Sequence, residues 1–583
     1  MWKYSLLFTF CLILFSCQNE TKESETNATD DKEFTLKTAF EKSNGYSTST
    51  YDEVIQFYEK LDEEFSSISF QEYYKTDVGK ALKLVKFSNE NSGDSPLKIL
   101  INNGIHPGEP DGIDASMLLF RALAKGDYKI PDNVEIYAIP IYNVGGALNR
   151  NSHSRTNQKG PAEYGFRGNA KNLDLNRDFI KSDSKNSKAF SEIYHDINPD
   201  VFVDTHVSNG ADYQYTLTHL FTQHDKLGGN LGEFLIQTFR PEIEQDLANK
   251  SWKITPYVNV FNKSPEDGFT QFNDSPRYST GYTSLWNSLG LMIETHMLKP
   301  YKKRVEGTLS MLKSIVEISE KHREEIQKLR QNRFDELAEA EFYPINFSVD
   351  STTTTKIDFL GYEVEKLTSQ VTNLPRIKFN EDKPFNKKVK YYNQFKASDS
   401  IKIPKSYVIP QQWEKVIELL KWNDISYTRL FNDTLMDVEA YKIEDFKTKN
   451  EPYEGHYLHS ETKVSKTQMQ RQFRSGDIIV HTEQKGIRYL LETLEPEAVD
   501  SFFNWNFFDS VLQQKEGFSP YVFEDLAKKI LKENPDLKAE FEKKQKTDSE
   551  FARNSYAQLD WIHKNSKYYE AAHRLYPVFR VLD

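Results

Sequence analysis

Residues 97–109 read LKILINNGIHPGE, and this stretch indicates the class of fold. Its first five residues are mostly apolar, which is typical of a strand buried inside a sheet. Residues 114–123 then have the pattern of a helix, and residues 134–141, 201–203 and 291–293 are further apolar strands. Strands that alternate with helical segments predict an α/β domain with a mixed, mostly parallel sheet flanked by helices.

Three of these strands end in side chains that bind metals or move protons. His106 and Glu109 follow the first strand, His206 follows the strand at 201–203, and Glu294 follows the strand at 291–293. Because ligands bind outside the carboxyl ends of the strands in open α/β sheets, we expect these side chains to meet at one edge. Imidazole and carboxylate groups are suitable zinc ligands, and a set of two histidines and one glutamate leaves a position for water. Taken singly, a surface histidine, a helix-capping glutamate and a strand-end histidine bonded to a loop are equally ordinary interpretations.

Glu294 is the candidate general base and acid. A carboxylate beside metal-activated water can take its proton and later deliver it to the leaving amine. The alternative is a strand-end carboxylate held in a salt bridge. His296 lies two residues further on, and we expect it at most to contact the residues of the site without binding the metal.

The segment NLDLNRDF at residues 172–179 offers a means of holding a carboxylate. The planar guanidinium of Arg177 can meet both oxygens of a substrate's terminal carboxylate, and Asn176 lies beside it. The alternative is a polar loop whose arginine pairs with Asp174 or Asp178. Upstream, Arg167 is the candidate for stabilising the oxyanion of the scissile carbonyl, with two competitors, Arg150 and Arg155.

The order of these motifs resembles that of the zinc metallocarboxypeptidase family, whose best-known member is carboxypeptidase A. The resemblance covers roughly residues 50–330 and consists of HxxE, an arginine, DLNRD, a strand-end histidine and a strand-end glutamate. It implies one Zn²⁺ ion per chain and a peptide substrate with a free C-terminal carboxylate. The residues that it implies are the ligands His106, Glu109 and His206, the catalytic Glu294, the carboxylate-binding Asn176 and Arg177, and the electrophilic Arg167.

Two features of that family are left open by this sequence. The family places a tyrosine on a mobile loop before the catalytic glutamate, and here both Tyr278 and Tyr282 are available as substrate-binding residues. The residue at the base of the specificity pocket is not identifiable, so the preferred C-terminal side chain stays open. Zinc amidases or peptidases that act on cell-wall peptides, and zinc deacylases of the same fold, are the alternative functions. A non-catalytic peptide-binding module is a third hypothesis.

The ends of the chain predict its location and division into domains. Residues 6–15 form an apolar run that is too short to span a bilayer, so residues 1–16 resemble a signal peptide. Cys17 resembles the lipidated cysteine of bacterial lipoproteins. A lipidated Cys17 with a polar tether at 17–45 predicts anchoring to a bacterial membrane in the cell envelope, on the periplasmic or cell-surface side. We expect a catalytic domain at 46–345, closed by a long helix at 301–336, and a smaller α+β region of unknown role at 346–583.

Charge excludes one class of partner. The formal net charge is -12 and no block of lysine and arginine is present, so a nucleic acid is a poor partner for this chain. The two cysteines are Cys11, which would leave with the signal peptide, and Cys17. Any metal site in the mature chain must therefore use histidine, aspartate and glutamate.

Overall fold

A computed structural model describes residues 36–89, 95–130 and 132–582. The chain from Lys37 onward forms one compact unit. The predicted signal peptide and Cys17 lie outside the described residues and stay predictions. The last part of the predicted tether contains a short helix, α1 (Ala39–Lys42), whose Phe40 is buried. Among the residues that the structure describes, no helix is both long enough and apolar enough to cross a membrane.

A mixed eight-stranded sheet lies at the centre of the first part of the chain. Its strands are β1 (Ile68–Lys75), β2 (Ala81–Phe87), β3 (Leu97–Asn102), β4 (Val134–Ile139), β5 (Val201–Ser208), β6 (Leu217–Phe221), β7 (Ile254–Pro256) and, after the separate β8 (Phe269–Thr270), β9 (Leu289–His296). The order across the sheet is β1-β2-β4-β3-β5-β9-β6-β7, with β4, β3, β5 and β9 parallel. The predicted mixed, mostly parallel sheet is therefore confirmed.

The central strands are buried on both faces, as their sequences predict. Every residue of β4 and β5 is buried, which fits runs rich in valine and isoleucine. The parallel register places Asn102 beside Asp204, and His206 beside Glu294. The carboxyl ends of β3, β5 and β9 thus meet at one edge of the sheet.

Helices cover both faces of this sheet. They are α2 (Tyr51–Glu64), α3 (Asp111–Ala124), α4 (Val144–Leu148), α5 (Lys185–Ile197), α6 (His224–Leu227), α7 (Gly229–Phe234), α8 (Arg240–Asn249), α9 (Ser279–Thr283), α10 (Tyr301–Lys321) and α11 (Arg323–Glu339). The single helix predicted at 301–336 is two helices, which corrects that prediction. His322 leaves the helical conformation between them, and its imidazole hydrogen-bonds Glu242 and Glu325.

The chain after α11 contains both strands and helices, as predicted. The strands are β10 (Phe342–Val349), β11 (Thr355–Thr368), β12 (Pro375–Tyr392), β13 (Phe395–Lys402), β14 (Ser406–Ile409), β15 (Thr428–Arg429), β16 (Thr434–Thr448), β17 (His459–Phe473), β18 (Ile478–His481) and β19 (Phe579–Val581). The helices are α12 (Glu414–Trp422), α13 (Ile487–Leu494), α14 (Pro520–Glu533), α15 (Pro535–Thr547) and α16 (Ser555–Lys564).

The two parts of the chain pack on each other. Strand β12 pairs with β8, and Phe502, Phe503 and Trp505 of the later part are fully buried. The boundary near residue 345 stays a prediction, because the residues on both sides of it belong to the same compact unit.

Arg304 anchors the start of α3, the helix that follows the polar loop after β3. Its buried guanidinium donates to Asp111 Oδ1 at 2.8 Å and to several backbone carbonyls, among them that of Gly160 at 2.9 Å. We expect Arg304→Met to lower the free energy of unfolding by about 3–5 kcal/mol, because the Asp111 carboxylate would stay buried without its cationic partner. Chemical denaturation measures this. The neighbouring, exposed Lys303 provides the control, and Lys303→Met should change stability by less than about 0.5 kcal/mol. Equal effects of the two substitutions would contradict this account.

Candidate functional site

A cavity of about 560 Å³ lies at the edge of the sheet where β3, β5 and β9 end. Its walls include residues from each of these strand ends, from the 174–177 segment and from the segment before α9. The predicted residues that line it are His106, Glu109, Arg167, Asn176, Arg177, His206, Tyr278 and Glu294. The structure therefore brings together residues that are up to 188 positions apart (294 minus 106).

His106, Glu109 and His206 form a buried group of metal-ligating side chains. Each offers one ligand atom, and these atoms lie within 4.8 Å of one another. The Nδ1 atoms of His106 and His206 lie 3.4 Å from Glu109 Oε1 and 3.2 Å from Glu109 Oε2, respectively. Two imidazole nitrogens and a carboxylate around one point are a donor set that suits a divalent metal. No second such group occurs within residues 36–89, 95–130 and 132–582.

Two aspartates orient the histidines of this group. Nε2 of His106 hydrogen-bonds Asp174 Oδ1 at 2.9 Å, and Nε2 of His206 hydrogen-bonds Asp204 Oδ2 at 3.0 Å. With Nε2 engaged in this way, Nδ1 of each ring is directed at Glu109. Outer carboxylates of this kind fix the ring orientation and the basicity of metal-binding histidines.

Glu109 is held by the backbone and by an arginine. Its Oε2 accepts from the backbone N–H of Val207 at 2.8 Å, and its Oε1 accepts from Nη1 of Arg155 at 2.7 Å. Gly108 makes this possible, because a Cβ at that position would lie 2.6 Å from Cδ of Arg155. Burial acts to raise the pKa of Glu109, but Arg155 and His106 outweigh it and hold that pKa well below its usual value.

The histidine on β5 is strongly basic. Burial acts to lower the pKa of His206, but the carboxylate of Asp204 outweighs it and raises that pKa well above its usual value. A metal that binds Nδ1 must therefore displace a proton, so metal affinity is expected to fall as the pH is lowered.

Glu294 faces the cavity without a hydrogen-bond partner for its side chain. No residue in the described part of the chain donates to its carboxyl, and the salt bridge considered as the alternative does not form there. Loss of solvation raises the pKa of Glu294 to about 7, with Glu109 adding to the rise and His206 opposing it. Residues with pKa values shifted in this way, inside a cavity, are candidates for proton transfer.

Of the three upstream arginines, two line the cavity. Arg167 donates from Nη2 to Asp174 Oδ2 at 2.7 Å, and its Nη1 lies 3.3 Å from Nδ1 of His106. Arg155 lines the cavity as well as holding Glu109. Arg150 instead donates to the backbone carbonyls of Ser49 and Glu163, so the structure places it outside the cavity wall.

Asn176 and Arg177 lie side by side at the cavity wall. Oδ1 of Asn176 accepts from the backbone N–H of Ser279 at 3.1 Å, and Nη1 of Arg177 donates to the backbone carbonyl of Asn176 at 2.8 Å. The guanidinium of Arg177 also lies 4.4 Å from the centre of the Tyr278 ring. Nη1 of Arg177 forms a long ion pair with Asp174 Oδ2 at 3.9 Å, so the alternative pairing with Asp174 occurs in this weak form. Asp178 instead pairs with Lys181 at 2.7 Å.

The two candidate tyrosines have different environments. Tyr278 precedes α9 in an extended conformation and lines the cavity. Tyr282 lies one turn inside α9, fully buried, and its hydroxyl donates to Asn423 Oδ1 at 2.6 Å. The structure thus places Tyr278 at the site and Tyr282 in the core behind it, which removes the basis for a substrate-binding role of Tyr282.

Several lining residues were missed by the sequence patterns. Tyr257 directly follows the edge strand β7, and this position after a strand is the signal that could have identified it as a cavity residue. Phe272, Leu220 and Met292 also line the cavity, and nothing in their local sequence distinguished them from core residues. His296, which we expected to lie outside the ligand set, hydrogen-bonds Asp212 and does not line the cavity.

Comparison with known proteins gives a consistent set of relatives. No protein-family model matches the chain. The chain is 21% identical over 490 residues to carboxypeptidase 2 of Trichophyton rubrum. This match covers 79% of this chain and 84% of that protein. It is also 21% identical over 488 residues to the probable carboxypeptidase 2 of Arthroderma benhamiae, covering 79% of this chain and 86% of the relative.

Solved structures of carboxypeptidases are also similar to part of this chain. A metallo-carboxypeptidase from Burkholderia cenocepacia matches with a TM-score of 0.36 and 17% identity, over 47% of this chain and 70% of that one. Carboxypeptidase A from Helicoverpa armigera matches with a TM-score of 0.37 and 14% identity, over 47% of this chain and 74% of that one.

Proposed function

We propose that this chain is a metallocarboxypeptidase of the carboxypeptidase A-like family, and that it uses Zn²⁺ to hydrolyse the last peptide bond of a peptide with a free C-terminal carboxylate. The observation that carries the proposal is the convergence, in one cavity, of a metal-ligating group, a partner-free carboxyl and an arginine. These residues are His106, Glu109, His206, Glu294 and Arg177.

The donor set fits zinc. Two histidines and a glutamate leave a coordination position for water or substrate, and their outer partners are the aspartates that such histidines usually have. Zinc bound there would supply an activated water and polarise the scissile carbonyl. The described residues contain no cysteine, so the donor set there consists of histidine and glutamate side chains.

Glu294 would transfer the protons. Its carboxylate takes a proton from the attacking water and delivers it to the leaving amine, as a general base and then a general acid. Its pKa of about 7 applies to the protein without a metal. The charge of a cation at the neighbouring group would lower that pKa, so Glu294 would be in its basic form at neutral pH.

Arg177 and Asn176 would fix the end of the substrate. Nη2 of Arg177 makes no hydrogen bond within the described residues, so it is available to a carboxylate oxygen. A carboxylate held there sets which peptide bond faces the metal group, and this makes the enzyme an exopeptidase. Arg155 and Arg167, beside the ligands, would stabilise the developing oxyanion.

The cavity wall suits an apolar C-terminal side chain. Leu220 and Met292 are cross-strand neighbours on β6 and β9, and both line the cavity together with Tyr257 and Phe272. The acids in the wall are Glu109 and Glu294, which have roles already, so no further carboxylate is there to pair with lysine or arginine. We therefore expect residues such as leucine and phenylalanine to be released first.

Removing the carboxylate-binding group should mainly weaken substrate binding. We expect Arg177→Met to raise KM for a free-acid peptide roughly a hundredfold, because a charge-assisted pair at such a site is worth about 2–4 kcal/mol. The zinc content should not change, since Arg177 contacts no ligand. Steady-state kinetics on a peptide and on its C-terminal amide measure the effect, and the variant should no longer prefer the free acid.

The control for Arg177 is Arg376, which is exposed on β12. Arg376→Met should leave KM and the preference for the free acid as they are in the wild type. If Arg177→Met kept that preference, the arginine would not be the carboxylate-binding group.

A choice of substrates tests the proposed function itself. The zinc-loaded chain is incubated with peptides that end in leucine, phenylalanine, lysine or glutamate, with their amides, and with cell-wall muropeptides. Release of single C-terminal residues from the free-acid peptides, with leucine and phenylalanine first, is the expected result. Hydrolysis of muropeptides alone would replace the proposal with the cell-wall alternative, and binding without hydrolysis of any substrate would indicate a non-catalytic module.

A further inference from the structure

A turn from the later part of the chain packs against the segment that carries Arg177. It comprises residues 453–456, nearly 280 positions after the 174–177 segment in sequence. Two side chains of the turn contact that segment. The hydroxyl of Tyr453 accepts from Nε of Arg177 at 3.1 Å, and Oε2 of Glu454 accepts from the backbone N–H of Asp174 at 2.7 Å.

The conformation of this turn is specific. Tyr453 and His456 exchange two backbone hydrogen bonds, of 2.7 and 3.1 Å. The residues between them both have positive φ, 50° at Glu454 and 82° at Gly455. Two such residues in a two-residue turn usually include asparagine or aspartate before the glycine, so glutamate is unusual at this position. Its contact with Asp174 compensates for the backbone strain, since such conformations persist where the surroundings impose them.

The turn is anchored firmly to the protein on its other sides. The ring of Tyr453 stacks on that of the buried Trp505, with ring centres 6.1 Å apart, and His456 hydrogen-bonds Asp183 at 2.6 Å. Trp505 also donates to Asp500, which accepts from both the backbone and the side chain of Arg277, next to Tyr278. The same part of the chain thus holds both segments that line the carboxylate-binding side of the cavity.

These contacts fix the direction of the Arg177 guanidinium. Nε is engaged by Tyr453, Nη1 by the carbonyl of Asn176, and one face by the ring of Tyr278. An arginine that is free to rotate would lose side-chain conformational entropy on binding substrate. A guanidinium held in advance avoids that loss and presents Nη2 to the cavity. The turn does not close the cavity, because Asn176 and Arg177 still line it.

We propose that Tyr453 is a positioning residue, through which residues 346–583 preorganise Arg177 to recognise the carboxylate of the substrate. This inference rests on the proposed function of the cavity and assigns a role to a region that the sequence left without one. Glu454 serves the same arrangement by fixing the backbone of Asp174, at the start of the Arg177 segment.

The test is Tyr453→Phe in the whole, zinc-loaded chain, which removes the hydroxyl and keeps the ring stacked on Trp505. KM for a free-acid peptide should rise about fivefold, while kcat and the inhibition constant of the matching peptide amide stay unchanged. Tyr457 is exposed and makes no side-chain contact with the cavity, so Tyr457→Phe is the matched control. Glu454→Gln keeps an acceptor for Asp174 and should resemble the wild type, whereas Glu454→Ala should raise KM for the free acid.

The kinetics of Tyr453→Phe decide whether Tyr453 positions Arg177. Selective loss of affinity for the free acid in Tyr453→Phe supports that role. Equal loss for acid and amide, no loss, or a fall in kcat alone would overturn it. If the wild type hydrolyses no peptide, the proposed function has failed, but calorimetry with the same acid and amide still decides the positioning role. The wild type must then bind the acid more tightly than the amide, and Tyr453→Phe must reduce that difference.

Discussion

Glu294→Gln should lower kcat by about three orders of magnitude, since general acid–base catalysis contributes roughly 10²–10⁴-fold. The amide matches the carboxyl in shape but cannot take the proton. KM should change little, because the proposed carboxylate-binding group is Arg177 and Glu294 makes no side-chain hydrogen bond within the described residues. Steady-state kinetics on a free-acid peptide, with zinc measured on the same sample, give the result.

The control for this substitution is Glu306, which is exposed on α10. Glu306→Gln should leave kcat unchanged, because Glu306 does not line the cavity. If Glu294→Gln kept most of its activity with zinc bound, proton transfer would have to be assigned to another group.

His206→Ala should abolish both stoichiometric zinc binding and activity. The substitution removes one of three ligands and leaves Asp204 and Glu109 as two buried carboxylates without their shared partner. In the wild type, zinc at a hundred times its dissociation constant should add about 2.7 kcal/mol to the stability of the folded chain. The variant should not gain that stability. Metal analysis after dialysis and thermal unfolding with and without zinc measure the two effects.

His481 provides the matched control, because it is an exposed histidine at the end of β18 and does not line the cavity. His481→Ala should bind zinc and gain stability from it as the wild type does. Stoichiometric zinc in His206→Ala would contradict the assignment of the ligand group.

The central part of the site was predictable because simple physical rules govern it. Apolar strands that end in a polar residue mark the carboxyl edge of a parallel sheet, and His106, His206 and Glu294 all follow this pattern. Glu109 was predictable from its spacing to His106 on one loop. The roles assigned to these residues are tested by the experiments above and not by their position alone.

Other features depend on contacts that local sequence does not encode. From the sequence alone, Tyr278 and Tyr282 are equally plausible as the substrate-binding tyrosine. Because α9 starts at Ser279, Tyr278 lies before the helix at the cavity, whereas Tyr282 lies inside the helix and is buried in the core. The break at His322 was hidden because the apolar spacing continues across it. The contact of Tyr453 with Arg177 joins residues 276 positions apart, and no periodicity could have indicated it.

The mass of the product formed from one defined peptide shows directly whether this chain is a zinc-dependent exopeptidase. The zinc-loaded chain is incubated with a peptide that ends in leucine, with and without a chelator, and the products are identified by mass spectrometry. We expect a product that is shorter by the C-terminal leucine alone, no such product with the chelator, and recovery of the product when zinc is added back. Cleavage at an internal bond, or the same product in metal-free protein, would contradict it.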